Sequence, residues 1–99
     1  MVLDTGATRS LLDRKTVMDL GYDLGTPTIQ MRMITASGIE VAPQVVLRQA
    51  ETLGRRRLDF PIICYTVPSY ADVNGVLGLD FLRGLKLTLD FRAGLITLE

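Results

Sequence analysis

A short segment near the start of the chain places a carboxylate, a hydroxyl and a glycine at consecutive positions. Asp4, Thr5 and Gly6 directly follow the apolar residues Val2 and Leu3. A strand that enters a core normally avoids aspartate, because an unpaired buried carboxylate is very costly. Asp4 therefore either begins a turn or has a chemical role. A carboxylate fixed at a rigid strand end can activate water, and glycine lets a second backbone approach closely.

The composition excludes several other kinds of catalytic chemistry. The 99 residues include no histidine, which removes Ser–His and Cys–His nucleophile pairs and every His-ligated metal site. The single cysteine, Cys64, lies in the apolar run FPIICYTV, where we expect a buried structural side chain without an internal disulfide. Eleven basic and eleven acidic residues balance, so charge favours neither nucleic acid nor an anionic membrane as a partner. We expect no cofactor and no metal.

Short strand-like segments separated by turn residues make up most of the chain. Apolar and polar residues alternate in them with a period of two, which is typical of half-buried strands. Three antiparallel pairings are predicted: residues 28–47 form a hairpin, 45–49 pair with 57–67, and 85–91 pair with 95–98. In the first pair, residues 35–38 predict the turn because they are small, and Pro43 predicts an edge or a bulge in the returning strand.

Helical signals are few. Asp13 is a suitable N-cap for a short helix over 13–20, and a further helical turn is predicted at 79–83. Strands with only two short helices predict an all-β barrel or sandwich, formed by a single domain over 1–99. We expect the arginine cluster at 55–57 to cap a solvated hairpin turn.

Two motifs in this order resemble the retroviral-type (retropepsin-like) aspartic proteases. The first is DTGA at 4–7 after an apolar strand, and the second is GVLGLDFL at 75–82. The resemblance is to the retrotransposon, cellular and bacterial branch, because Thr8 and Leu79 stand where viral members carry an acid and an arginine that pair. It implies a closed all-β barrel with a flap hairpin and one or two short helices.

The resemblance also implies the roles of individual residues. Asp4 is expected to be the catalytic carboxylate, Thr5 to bridge to the partner strand, and Gly6 to shape the loop and contact substrate through its backbone. The expected substrate-binding residues are Ala7 and Thr8 beside the loop, Ala36, Ser37 and Gly38 in the flap, and Val73 and Val76 in a wall of the side-chain pockets.

A second carboxylate is needed, and it is expected from another copy of the chain. Two carboxylates about 3 Å apart share a proton, so that one acts as base and the other as acid. Only one Asp-Thr-Gly occurs; Asp80 is better explained as a structural acceptor near a helix N-terminus, and Asp90 alternates outward. A two-fold axis would bring Asp4 of the partner subunit to Asp4. The prediction is a homodimeric aspartic endopeptidase that hydrolyses peptide or protein substrates in mild acid.

Two other interpretations stay open. A non-catalytic retropepsin-like dimerisation or peptide-binding module would keep the fold and groove without efficient cleavage, and a small β domain would use Asp4 only to cap a turn. Only three residues precede Asp4, whereas relatives carry a strand and a hairpin there. From this we expect an internal start, weak dimerisation and little activity for the 99-residue form. We expect no membrane partner within this segment and a cytoplasmic location.

Overall fold

The structure, a computed structural model, describes residues 1–24, 29–67, 70 and 72–99. In these ranges the strands are β1 (Val2–Leu3), β2 (Leu11–Asp13), β3 (Gln30–Thr35), β4 (Gly38–Thr52), β5 (Arg55–Tyr65), β6 (Gly75–Leu77), β7 (Leu87–Asp90) and β8 (Leu95–Leu98). The helices are α1 (Arg14–Asp19) and α2 (Leu79–Leu82). The predicted all-β class with two short helices is confirmed, while residue 28 of the predicted first hairpin lies outside the described residues.

Six strands form one curled sheet that makes a half-barrel, in the order β1-β6-β2-β5-β4-β3, and β7 pairs with β8 separately. The β1–β6 and β2–β5 pairs are parallel, and the remaining pairs are antiparallel. In the β1–β6 pair, Val2 lies opposite Val76 and Leu3 lies opposite Leu77. The two sequence motifs, far apart along the chain, are therefore neighbours in the sheet.

The 15-residue strand β4 belongs to two strand pairs. Residues 38–43 pair with β3 in the flap hairpin, and residues 44–52 pair with β5 in the sheet. Pro43 is the last residue opposite β3, and the N–H of Gln44 donates to the carbonyl of Ile29 at 2.7 Å. Proline has no N–H to donate, so it is tolerated where the strand passes from one pairing to the other.

Two apolar clusters form the core, one next to α1 and one next to α2. The first contains Leu12, Val17, Val45, Leu47, Ile62 and Cys64, and the second contains Phe60, Leu77, Phe81 and Leu82. The rings of Phe60 and Phe81 meet edge to face with their centroids 5.6 Å apart. Burial raises the pKa of the Cys64 thiol, as expected for the structural role that the sequence predicts.

Both predicted helices are present, each slightly shorter than expected. The carboxylate of Asp13 caps α1 by accepting from the N–H of Lys15 at 3.2 Å, and it also accepts from the N–H of Val67 at 3.0 Å. The second contact fixes the start of the helix to the chain that leaves β5. Within the described ranges, no helix has the length and apolar composition needed to cross a bilayer.

The arginine cluster at 55–57 does more than cap a solvated turn. The guanidinium of Arg57 donates to the carbonyl of Phe81 at 2.8 and 3.0 Å and to that of Arg83 at 2.5 Å. These carbonyls lie at the C-terminal end of α2, where a helix leaves its last acceptors unpaired. The prediction of a solvated cluster is therefore wrong for Arg57, because its long side chain reaches the C-terminal end of α2.

Candidate active site

The loop that carries Asp4 begins where β1 ends. The N–H of Asp4 donates to the carbonyl of Leu77 at 2.9 Å, which extends the parallel pairing one residue beyond the strand. The N–H of Ala7 donates to the carbonyl of Asp4 at 3.2 Å and closes a tight turn over Thr5 and Gly6. Strand β1 thus delivers Asp4 to the surface, and the turn fixes its position.

The Asp4 carboxylate is exposed and oriented by a backbone donor. The N–H of Gly6 donates to Oδ1 at 2.9 Å, the one hydrogen bond that this carboxylate receives in the described part of the chain. A Cβ at position 6 would lie 3.2 Å from Oδ1, so glycine provides room for the close approach. Thr5 is also exposed, and no described residue hydrogen-bonds its hydroxyl. Oδ2 of Asp4 and the Thr5 hydroxyl are thus available to a substrate or to a second subunit.

A buried serine connects this loop to the second motif. Ser10 is 0% exposed; its Oγ donates to Oδ1 of Asp80 at 2.6 Å and accepts from the N–H of Gly78 at 2.9 Å. Oδ2 of Asp80 accepts from the N–H of Ser10 at 2.9 Å, and Oδ1 also accepts from the N–H of Phe81 at 2.9 Å. Asp80 is therefore a structural acceptor, as the sequence predicts, and it is not free to serve as a second catalytic carboxylate.

Gly78 allows the two motifs to pack backbone against backbone. A Cβ at this position would lie 2.8 Å from the carbonyl oxygen of Ala7 and 2.8 Å from the carbonyl carbon and oxygen of Arg9. The next residue, Leu79, donates its N–H to the carbonyl of Ala7 at 2.8 Å. The second motif thus supports the Asp4 loop from behind at a distance that only glycine permits.

A cleft of about 400 Å³ opens between this loop and the flap hairpin. Its floor is formed by Asp4, Gly6, Ala7, Thr8, Arg9, Leu11, Ile63 and Val76, and β3 adds Arg32, Met33 and Ile34. Aliphatic and methionine side chains provide much of this lining. The arrangement places an exposed carboxylate beside a partly apolar surface in an open cleft.

The structure places the predicted site residues in different positions relative to this cleft. Asp4, Gly6, Ala7, Thr8 and Val76 line it, and Thr5 lies within the Asp4 turn. Ala36, Ser37 and Gly38 form the tip of the β3–β4 hairpin and Val73 precedes β6, and none of these four is part of the lining.

Sequence reasoning missed six residues of the lining. They are Arg9, Leu11, Arg32, Met33, Ile34 and Ile63. The alternation around Met33 predicted a strand there, but alternation alone does not say which residues of a hairpin face a cleft. Ile63 reaches the floor because β5 pairs in parallel with β2, a pairing that no local pattern indicates.

The flap hairpin is held at its tip and along its second strand by side-chain hydrogen bonds. At the tip, Thr35 Oγ1 accepts from the N–H of Ser37 at 3.2 Å and donates to the carbonyl of Gly38 at 3.1 Å. On the second strand, Glu40 of β4 accepts at Oε2 from the hydroxyl of Tyr65 on β5 at 2.6 Å. This hydrogen bond to Glu40 raises the pKa of Tyr65.

A second depression, of about 470 Å³, offers no comparable site. It is lined in part by Asp59 and Asp80. Asp80 is engaged by Ser10 and lies 3.7 Å, Oδ2 to Nε, from the guanidinium of Arg9. The described residues that line it therefore include no free pair of carboxylates. Among the described residues, no group of three or more His, Cys, Asp or Glu side chains is placed to hold a metal ion.

The fold and the site together define a class. The protein is an all-β half-barrel in which a DTG turn ends an edge strand. A glycine-containing second strand supports that turn, and a flap hairpin lies beside it. This architecture is the retropepsin-like fold. The family model described as aspartyl protease matches residues 1–81, and the chain belongs to this family.

Structural comparison agrees on the fold. The chain is similar to a retropepsin-like aspartic protease from Rickettsia conorii in its crystal structure, with a TM-score of 0.70 and 24% sequence identity. The match covers 97% of this chain and 69% of the other chain. A search of curated protein sequences gives no match.

Proposed function

We propose that this protein is an aspartic endopeptidase whose active site forms between two copies of the chain. The observation that carries the proposal is the Asp4 carboxylate, which is exposed in the cleft and receives its hydrogen bond at Oδ1 from Gly6. Asp80, the nearest alternative in the second motif, is occupied by Ser10. The second carboxylate of the dyad is then Asp4 of the partner subunit, brought close by a two-fold axis.

The chemistry follows from two carboxylates that share one proton. The ionised carboxylate takes a proton from a water molecule as its oxygen attacks the carbonyl carbon of the scissile peptide bond. The protonated carboxylate gives its proton to the carbonyl oxygen, which produces a neutral tetrahedral diol. The C–N bond then breaks as the amine nitrogen gains a proton and a diol hydroxyl loses one, which returns the dyad to its starting state. The flap hairpin excludes bulk water during these steps.

The distribution of exposed apolar residues supports a second copy as the partner. The edge strand β1 and the separate β7–β8 hairpin expose large apolar side chains, which are Met1, Val2, Leu89, Phe91, Leu95 and Ile96. Phe91 is 90% exposed. Apolar surface removed from water contributes about 25 cal/mol per Å², so covering these groups favours association. An unpaired edge strand also offers backbone groups to a neighbouring chain.

The substrate that suits the cleft is an extended peptide with apolar side chains at the scissile bond. Leu11, Ile63 and Val76 form an apolar floor, and Met33 adds to it from the flap side. The unpaired backbone groups of an extended peptide can be satisfied by the flap strand and by the Gly6 region, as in other peptide-binding clefts that use strand addition.

Substitution of the catalytic carboxylate tests this function. In Asp4→Asn we expect peptide cleavage to vanish, because an amide can neither accept the water proton nor carry the shared proton. Wild-type activity should show a bell-shaped dependence on pH, since the dyad works between its two macroscopic ionisations. A statine-type inhibitor should abolish cleavage. Asp19→Asn, an exposed position on α1, is the matched control and should leave activity unchanged.

Cleavage that survives Asp4→Asn refutes the proposal. If wild-type protein and Asp4→Asn bind peptides equally and neither cleaves them, the chain is a peptide-binding module instead. Sedimentation velocity at several protein concentrations tests whether the protein dimerises. Activity that rises only linearly with protein concentration, well below the dissociation constant of the dimer, would contradict an active site shared between subunits.

A further inference from the structure

The flap hairpin leaves the sheet at a single point of β4. Pro43 is the last residue of β4 opposite β3, and Gln44 is the first residue opposite β5. Among the described strands, β3 is an edge strand that pairs with β4 alone. A change of backbone direction at 43–44, the flap base, would therefore move the hairpin relative to the sheet and change the width of the cleft.

The side chain at the flap base is held from the segment that follows the Asp4 turn. Oε1 of Gln44 accepts from Nη2 of Arg9 at 2.6 Å in a partly buried position. The two residues are 35 positions apart in the sequence. Because the donor is charged, this hydrogen bond is roughly twice as strong as one between neutral groups. The contact joins the loop side of the cleft directly to the flap side.

Arg9 is itself fixed by the second motif. Its Nε lies 3.7 Å from Oδ2 of Asp80, and the same oxygen accepts from the N–H of Ser10 at 2.9 Å. The carbonyl group of Arg9 also packs against Gly78, where a Cβ would lie only 2.8 Å away. Both the main chain and the guanidinium of Arg9 are thus anchored, which makes the residue a firm support for Gln44.

The contacts of this guanidinium lie outside the cleft. Gln44 and Asp80 line the separate 470 Å³ depression, and neither of them lines the 400 Å³ cleft that contains Asp4. The charge of Arg9 is therefore directed towards the flap base and the second motif. Its influence on a ligand in the cleft passes through the flap hairpin.

We propose that Arg9 is a positioning residue, which sets the direction of the flap hairpin over the Asp4 loop by holding Gln44 at the flap base. With this hydrogen bond in place, the hairpin has less conformational freedom to lose when it closes on a peptide. Without it, the hairpin moves more widely about the flap base, and peptide binding is weakened. The inference rests on the proposed function, because a peptide is the ligand over which the flap closes.

Amide hydrogen exchange of the full 99-residue chain tests the restraint directly. Gln44→Met is close in size, removes the acceptor and leaves the contact between Arg9 and Asp80 in place. Exchange across 30–42 should become about tenfold faster, equivalent to about 1.4 kcal/mol, while amides 55–60 of β5 keep their wild-type rate. Gln49→Met is the matched control: it makes the same change at an exposed position of β4 outside the hairpin and should alter neither rate.

Further variants assign the effect to the hydrogen bond. Gln44→Glu keeps an acceptor for Arg9 and adds a charge to it, so exchange in the flap should be no faster than in the wild type. Arg9→Met should speed exchange in the flap about as much as Gln44→Met does. The double variant should be no faster than the faster single variant, because both changes remove the same contact.

Steady-state kinetics distinguish positioning of the flap from damage to the catalytic loop. With a chromogenic peptide substrate, Gln44→Met should raise KM about tenfold and leave kcat within about twofold of wild type, since the flap contributes binding in the ground state and the transition state alike. The Asp4 loop keeps its support from Ser10 and Gly78 in this variant.

Flap exchange in Gln44→Met that equals the rate in Gln49→Met overturns the inference. So does an acceleration that Gln44→Glu shares or that β5 shows equally, and so does a lowered kcat at wild-type KM. The exchange rates decide the inference whether or not a peptide is cleaved. The proposed function is decided separately, by whether the wild-type chain cleaves peptides and Asp4→Asn does not.

Discussion

Replacement of Ser10 by alanine measures how strongly the two motifs are linked. The change removes the hydrogen bond from Oγ to the Asp80 carboxylate, at 2.6 Å, and deprives the buried N–H of Gly78 of its acceptor. A hydrogen bond to a charged group contributes about 1.5–3 kcal/mol, and a buried unsatisfied donor costs about 1–3 kcal/mol. These two free-energy losses are not fully additive, because the Asp80 carboxylate still accepts hydrogen bonds from the N–H groups of Ser10 and Phe81. We therefore expect the free energy of unfolding to fall by about 3 kcal/mol.

Urea unfolding followed by far-UV circular dichroism is the appropriate assay, since the sequence has no tryptophan. With a slope of about 1–1.5 kcal/mol per molar urea for a chain of this size, the midpoint should move down by about 2–3 M. Ser37→Ala is the matched control: its side chain is exposed at the flap tip and the hydrogen bond there uses the backbone N–H of Ser37. That variant should stay within about 0.5 kcal/mol of wild type.

A loss in Ser10→Ala no larger than that in Ser37→Ala would refute the reasoning, because it would mean that the buried contacts with Asp80 and Gly78 contribute nothing net. A reduced denaturant slope, rather than a shifted midpoint, would point instead to a change in the compactness of the unfolded or folded state.

Three further predictions concern Gly78, the flap and Cys64. Gly78→Ala places a Cβ 2.8 Å from backbone atoms of the Asp4 loop, and we expect the free energy of unfolding to fall by about 1–3 kcal/mol. If the variant melted at the same temperature as the wild type, the close packing would be contradicted. Tyr65→Phe removes the hydrogen bond to Glu40 and should speed amide exchange across 36–38 relative to β5. Because that hydrogen bond raises the pKa of Tyr65, its contribution to stability is present below the ordinary value of 10.0 and is lost as pH rises through the raised pKa. Above that pH, wild type and variant should exchange at the same rate. Burial raises the pKa of Cys64 above 9.0, so Ellman's reagent should label it slowly in the native state and rapidly in urea, and rapid native labelling would contradict its structural role.

Local features of the fold were predictable from sequence because their signals are local. Alternation of apolar and polar residues located the strands, and Asp13 located the start of α1 because a cap acts within its own helix turn. The structural role of Asp80 followed from its position at a helix start. The Asp-Thr-Gly turn at the end of a strand could be placed for the same reason.

The cleft could not be predicted in the same detail, since it depends on contacts between distant segments. Outside the cleft the same holds for Arg57, which donates to the carbonyl of Phe81 at a sequence separation of 24, and nothing near Arg57 in the sequence indicates that partner. The placement of Arg32 in the lining depends on how the β3–β4 hairpin lies over the floor, which alternation does not determine. The parallel pairing of β2 with β5, which brings Ile63 to the floor, likewise follows from the whole topology.

The link between Ser10 and Asp80 spans 70 positions of the chain, and this separation has a consequence for the order of assembly during synthesis. The hairpins formed by β3, β4 and β5 need only neighbouring segments, whereas the Asp4 turn waits for residues 75–80 to be made. Until residues 75–80 are made, Asp4 lacks its supporting strand β6. Under the proposed function, hydrolytic competence would then arise only together with the compact state, in which fewer peptide bonds are accessible to another copy.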